Sequence, residues 1–461
     1  MQISSASTNV GNAAGPSAVG WSSRFAFLMA SVGFSVGLGN IWRFPYVTGE
    51  NGGGAFVLVY LACAFAIGVP ILMAELLVGR RGKKSPPNTM RDVAVQEGRS
   101  KHWQWLGGMN LLVAFIIMVV YCVIAGWVLN YLFKALLTGF AGVDGAMAAQ
   151  SFDGMLGDSG TMLFWTLLGL GITGAIIYAG VQDGIERAVT ILMPGLFVLL
   201  VALVAYNMVV GGFSEAVDYL FSPDFSKINA SVVLAAVGQA FFSIGVAMAG
   251  MMTYGAYLPK SVSIPRSVAL IVFADTLVAL MAGLVIFPAV FNNGLDPAGG
   301  PGLIFQTLPV AFANMPGGHI VSVLFFVLLS VAAITSMVGL IEPLTRWVEE
   351  HKGFARHKSA MVILGAIAVL SVLSILGYNT LAEYTIAGKD FNGALDYFAN
   401  QILLPVGGLL IAIFTGWFVR RQTSQNELGL GDGLLFRLWY FLIRYICPVA
   451  VFLVFVLGVS E

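Results

Sequence analysis

The chain has 461 residues, of which 58% are hydrophobic and 10% charged, and its formal net charge is zero. Soluble domains carry about 25% charged residues, so this composition belongs to a protein that crosses a membrane repeatedly. Balanced charge without a long basic or acidic run argues against nucleic acid as a partner.

Residues 1–20 are small and polar, lack Lys and Arg, and have no apolar core of the signal-peptide kind, so they read as a retained cytoplasmic tail. A bilayer is crossed by about 20 apolar residues. After an opening span that begins near Trp21, the apolar segments are 54–79, 111–133, 162–181, 188–210, 231–258, 267–291, 319–344, 360–377, 401–419 and 434–459, eleven in all. The expected fold is therefore an all-α polytopic membrane protein. Cys63, Cys122 and Cys447 fall inside apolar segments and read as small hydrophobes.

Lys and Arg bias sets the expected orientation. The loop from Gly79 to Trp103 carries seven basic residues, whereas the loop from Leu137 to Thr161 carries none. The N-terminus is thus expected inside and, with an odd number of spans, the C-terminus outside. The apolar but proline-broken segment 301–316 is too short to cross and reads as an external lid.

Two spans are interrupted. SVGFSVGLGNIWRFP (31–45) places Gly33, Gly37 and Gly39 in one apolar segment, and AVGQAFFSIGVAMAGMMTYGAYL (236–258) has Gly245 and Gly250 at its middle. Each glycine weakens a helix by about 1 kcal/mol relative to alanine. Breaks at bilayer depth are tolerated only where the freed backbone lines a cavity. Paired breaks at corresponding places in two halves point to an inverted repeat with the site between the halves. The expected units are the tail (1–20), a five-helix repeat (21–210), its inverted copy (231–419) and an eleventh helix (434–461).

Five ionisable residues lie within or beside spans, where each costs about 2.5 to 3.5 kcal/mol: Arg43, Glu75, Asp275, Glu342 and Asp396. Arg43 and Asp396 sit at the same expected depth and suit an external gate, with Asp396 just before the tenth span. Glu75 is placed to accept hydrogen bonds from backbone freed in the sixth span; Glu342 reads equally well as a helix-end residue. Asp275 is the sole charge in LIVFADTLVALMAGLVIF. A buried carboxylate needs a proton or a cation, and Ser35, Asn40 and Ser243 supply the oxygens that a hard cation takes.

GLGNIWRFP (37–45), ENGGGAF (50–56), GVPILMAELLVGR (68–80), AAVGQAFFS (235–243), AAITSM (332–337) and RYICPV (444–449) together resemble the neurotransmitter:sodium symporters. The resemblance implies a leucine-transporter-type fold with discontinuous first and sixth helices, two sodium ions as the coupling ions, and alternating access rather than enzymatic chemistry. One ion would be held by the Ser35 carbonyl, Asn40, Ser243 and Asp275 together with the substrate carboxylate. The other would lie among Gly33, Val36, Ala332, Thr335 and Ser336. The carboxylate would meet Leu38, Gly39 and Tyr121, and the ammonium would meet carbonyls of Ser35, Phe242 and Ser243. Tyr121 and Phe242 would form a thin gate beneath Arg43 and Asp396.

Three positions bear on specificity under that resemblance. Monoamine-transporting members carry an aspartate where this chain has Gly37, which implies a substrate that brings its own carboxylate. Chloride-dependent members carry a serine where this chain has Ala279, and the fixed charge of Asp275 implies chloride independence. Ile117, Phe242, Gly245, Met248, Ser336 and Leu340 would line an apolar side-chain pocket, in which Gly245 either leaves space or only sets backbone geometry. The expected substrate is a bulky hydrophobic or aromatic L-amino acid; GABA, betaine or a non-transporting sensor role are the alternatives. Relatives usually close the cytoplasmic side with a tail arginine ahead of the tryptophan; here only Trp21 and Arg24 are present, Glu350 is the aligned acidic partner lacking that arginine, and inner gating would depend on other contacts.

Overall fold

Ser23 starts the first helix: its side chain accepts the Ala26 N–H at 3.1 Å, satisfying one of the donors a helix start leaves unpaired. In the computed structural model, which describes residues 20–298, 300, 302–386 and 388–460, this helix runs Arg24–Ser35 and ends at Val36, whose φ of −75° and ψ of 92° leave the helical region. The chain restarts as a π-helical turn, Gly39–Arg43, and continues as Phe44–Glu50. Pro45 has no N–H to return to the preceding turn, which favours irregular bonding there. The two halves meet at 46°.

Nine helices among the described residues are long and apolar enough to span, ten with the bent first pair. The sixth expected span fails that length test because it is split. Asn229 caps Ala230–Ile244 by accepting the Val232 N–H at 3.0 Å, Gly245 ends it at φ +75°, and Gly250–Ala256 resumes it. Ala247 and Ala249 between them hold φ of 60° and 63°. A left-handed alanine costs about 1–2 kcal/mol, so this segment needs external support. Glu75, fully buried, gives some: its carboxylate accepts the Ala247 N–H at 2.9 Å.

Most regular structure among the described residues is helical, and an isolated bridge joins Ile386 and Lys389. Several loops also carry helices, Pro86–Gln96 and Gly145–Gly157 among them. Segment 301–316 forms Leu303–Thr307 and Leu308–Asn314, with Phe305 and Phe312 buried. One boundary requires correction. The tenth span runs Phe391–Phe418, so Asp396 lies within it and not before it; the polar run FNGALDYFANQ hides that extension from a hydropathy reading. The expected N-terminal tail lies, apart from residue 20, outside the described residues.

Candidate functional site

Both breaks leave helix ends at the middle of the bundle, where the first half of each span ends in carbonyls and the second begins in N–H groups. Partial negative and positive charge follow from that alone. Asp275, from the intact helix Ile264–Asn292, enters this region fully buried. One carboxylate oxygen accepts from Asn40 Nδ2 at 2.8 Å, the other from Ser243 Oγ at 2.8 Å and Tyr60 OH at 3.4 Å. Asn40 Nδ2 also reaches Ser243 Oγ at 2.9 Å, while its Oδ1 accepts the Gly37 N–H at 3.2 Å. Asn40, Ser243 and Asp275, expected together, are together. Tyr60 was not expected; the signal was present, because a buried tyrosine hydroxyl in an apolar span must find a partner.

The Ser35 hydroxyl donates to the Ile244 carbonyl at 3.0 Å, tying the two breaks to each other, which leaves its carbonyl, the atom expected to face a cation, as the oxygen it can offer. The Leu38 N–H, expected to meet the substrate carboxylate, is donated here to Tyr121 OH at 3.0 Å, and Tyr121, with its hydroxyl hydrogen unspent on that bond, faces the cavity as a donor.

A second oxygen cluster lies where the first span meets Gly318–Lys352. Ser336 Oγ donates to the Phe34 carbonyl at 3.1 Å and approaches that of Gly33 at 3.4 Å; Thr335 Oγ1 donates to the Ala332 carbonyl at 3.2 Å. A Cβ on Gly33 would stand 3.3 Å from Thr335 Cβ, which fixes how closely the helices pass. Val36, where the helix ends, has its carbonyl turned out of the helical direction. These are hard, oxygen-only donors, and no cluster of three or more His, Cys, Asp or Glu occurs among the described residues.

Between the breaks lies a cavity of about 20 Å³ lined by Phe34, Gly37, Ile117, Tyr121, Phe242, Met248, Ser336 and Leu340 among others. That is room for roughly one water. Gly37 admits no side chain without displacement, since a Cβ would lie 2.2 Å from Ser336 Oγ and 2.8 Å from Tyr121 OH. Of the two readings of Gly245, the geometry favours the one in which it sets the backbone: its φ is +75°, and a Cβ would strike Phe34 Cε1 at 2.7 Å. Phe34, missed in the sequence reading, fills a slot formed by Gly245, Gly250 and Gly339, whose added Cβ atoms would all come within 2.7 Å of its ring.

Beyond Tyr121 and Phe242, toward the end opposite the basic loops, a vestibule of about 390 Å³ holds Arg43 and Asp396 in its wall. The expected gate pair is not formed. Arg43 donates to Gln239 Oε1 at 2.9 Å and lies 5.0 Å from the Phe242 ring centre, and Asp396 accepts from Asn400 at 2.6 Å. Depth was readable from sequence; partner choice was not, because Gln239 competes for the guanidinium.

The basic end is closed. Trp21, 4% exposed, donates its indole N–H to the Tyr254 carbonyl at 3.0 Å and packs edge-on against Tyr254 and Tyr257. Ser22 next to it donates through backbone and hydroxyl to the two oxygens of Glu186, at 2.7 and 2.5 Å. Glu350, without a tail arginine, has other contacts: Ser85, Asn88 and Arg346 all donate to it. Glu342 is more than a helix-end residue, since it is fully buried and takes Arg356 through both oxygens, at 2.5 and 3.1 Å, and Tyr257 OH at 2.6 Å.

A helical bundle with two spans broken around a buried carboxylate, a vestibule on one side and a packed aromatic seal on the other, has the construction of a membrane transporter. The chain belongs to the sodium:neurotransmitter symporter family, whose model matches residues 19–144 and 148–461. It is 33% identical over 444 residues to an uncharacterized sodium-dependent transporter of Haemophilus influenzae, covering 95% of this chain and 97% of the relative. It is likewise 33% identical over 440 residues to the sodium-dependent transporter YhdH of Bacillus subtilis, with 95% and 97% covered. Among solved structures it is similar to MhsT in complex with L-phenylalanine, with a TM-score of 0.89, 39% identity, and 95% of this chain and 99% of that one covered. The protein is therefore a sodium-dependent transporter and not an enzyme.

Proposed function

We propose that this transporter imports a bulky hydrophobic or aromatic L-amino acid with two sodium ions and without chloride, across the inner membrane of a bacterium, its N-terminus inside and its C-terminus outside. The observation that carries the substrate class is the cavity wall: Phe34, Ile117, Phe242, Met248 and Leu340 are apolar, and Gly37 has no room for an acidic side chain without moving Ser336. An amine there must bring its own carboxylate, for which Tyr121 and the backbone at Gly39 are the donors. At about 20 Å³ the cavity is far below the 300 Å³ or more of typical ligand sites. A bulky guest enters by turning Met248, an adaptable side chain, and Phe242. MhsT, the similar structure, holds L-phenylalanine.

Asp275, Asn40, Ser243 and the Ser35 carbonyl hold one sodium ion, completed by the substrate carboxylate, so neither binds well alone. To present Oδ1 to that ion, the Asn40 amide turns over from the orientation in which Nδ2 meets Asp275. Gly33, Val36, Ala332, Thr335 and Ser336 hold the other. Units 21–210 and 231–419 rock about this centre; Arg43 and Asp396 close over Phe242 and Tyr121 on one side while Trp21 leaves its seal on the other. Glu75 steadies the sixth-span break throughout. Two sodium ions with a zwitterion move two charges, worth roughly 2.3 kcal/mol each at 100 mV, or about a thousandfold accumulation from potential alone. Sodium-dependent binding competed by each of the twenty amino acids tests the reading: large apolar ones should compete best, and equal or better competition by GABA or betaine refutes it. Replacing chloride by gluconate should leave uptake unchanged.

A further inference from the structure

The tenth and eleventh spans meet at the Lys/Arg-rich end, away from the two broken spans. Gly416 lets them touch, since a Cβ there would lie 2.9 Å from Arg444 Cα. Arg444 thereby sits with its guanidinium 4.4 Å from the Trp417 ring centre, and Trp417 donates its indole N–H to the Arg444 carbonyl at 3.0 Å. Arg99, from the basic loop, lies 5.5 Å from the Phe418 ring centre and donates to the Phe418 carbonyl at 3.3 Å. The two arginines line one groove of about 560 Å³, whose remaining wall is apolar: Ile413, Pro448 and Val449 with the aromatic rings.

Neither arginine has a carboxylate within ion-pair distance among the described residues. Glu97, two residues from Arg99, is already engaged by Arg81 and Arg420. Arg444 donates through one nitrogen to Tyr440 OH at 3.1 Å, but its Nε is buried without a partner. A desolvated guanidinium nitrogen lacking an acceptor is costly unless something outside the chain supplies one. Trp417, Tyr445 and Val449 are exposed on the groove's lipid-facing rim, at 50%, 47% and 60%. Basic side chains beside exposed apolar surface at a membrane boundary match the two halves of an anionic lipid.

We propose that Arg99 and Arg444 hold the phosphate of one anionic phospholipid from the leaflet at the basic end, its acyl chains lying along Ile413, Pro448 and Val449. This is independent of the amino-acid site. The test is native mass spectrometry of the full chain in neutral detergent with dioleoyl phosphatidylglycerol or dioleoyl phosphatidylcholine added. The wild type should retain one phosphatidylglycerol with about thirtyfold preference, as two basic contacts at a membrane surface give. Arg99→Gln, at an exposed position, should reduce that preference several-fold, and Arg99→Gln with Arg444→Gln should abolish it. Because Arg444 also packs, Val449→Trp supplies a second arm that fills the groove and leaves both arginines in place; it should displace the lipid too. An unchanged preference in Arg99→Gln and Val449→Trp overturns the proposal, as does displacement of the lipid by an equal concentration of glycerol 3-phosphate, which would make this a soluble-phosphate site.

Discussion

Replacing Gly37 separates two effects that the structure places at one atom. A Cβ at this position overlaps Ser336 Oγ at 2.2 Å, so Gly37→Ala forces that hydroxyl to turn from the Phe34 carbonyl it now bonds at 3.1 Å. Losing such a hydrogen bond costs about 0.5–1.5 kcal/mol, a weakening of amino-acid binding by about 2- to 12-fold. Gly37→Asp makes the same steric demand and adds a carboxylate beside Tyr121 OH, which would lie 2.8 Å from the new Cβ and which the substrate carboxylate is proposed to use. Two like charges about 4 Å apart at an effective dielectric of 20 repel by about 4 kcal/mol. Asp should therefore bind a zwitterionic amino acid about a thousandfold more weakly than Ala does, while a decarboxylated amine of the same side chain should gain. Scintillation proximity binding of labelled amino acid at saturating sodium, run on all three proteins, reads both steps. If Asp binds the amino acid as well as Ala does, the substrate carboxylate is not beside Gly37 and the assignment of substrate class collapses.

Asp275→Asn removes the full charge from the proposed first ion site while keeping the shape. Since a hydrogen-bonded or coordinated charge is worth about 1.5–3 kcal/mol, half-maximal activation should need about 10- to 150-fold more sodium, and an unchanged sodium titration would remove Asp275 from the site. Gly245→Ala must adopt φ +75° against Phe34, so it should lower the thermal unfolding midpoint in detergent through about 1–2 kcal/mol of backbone strain. Full stability with a shift toward smaller substrates would restore the reading in which this glycine makes room for the guest.

The breaks were readable because helix propensity and membrane depth are both written locally: three glycines in 31–45, and a lone Asp275 in an apolar run, violate what a plain span requires. Glu75 was readable for the same reason, and it does meet the freed N–H of Ala247. What could not be read depends on contacts across the fold. Arg43 has two acceptors at similar depth, and only the packing decides for Gln239. Phe34 looked like any apolar residue of a span, because the three glycines that receive its ring come from elsewhere in the chain. The tail offered no arginine, and nothing in its sequence said that Ser22 would find Glu186, 164 residues away.

The ring of Phe34 behaves as a detent. It projects from the half of the first span nearest the basic end into backbone supplied by the sixth span and by Gly339 of the eighth, so those three segments cannot slide past one another by small steps. Withdrawing a phenyl ring from such a slot forfeits about 1.5–3 kcal/mol of burial. That cost is set by how closely Gly245, Gly250 and Gly339 receive the ring. It makes any relative movement of these three segments a discrete event with a threshold, set by the seating of one side chain.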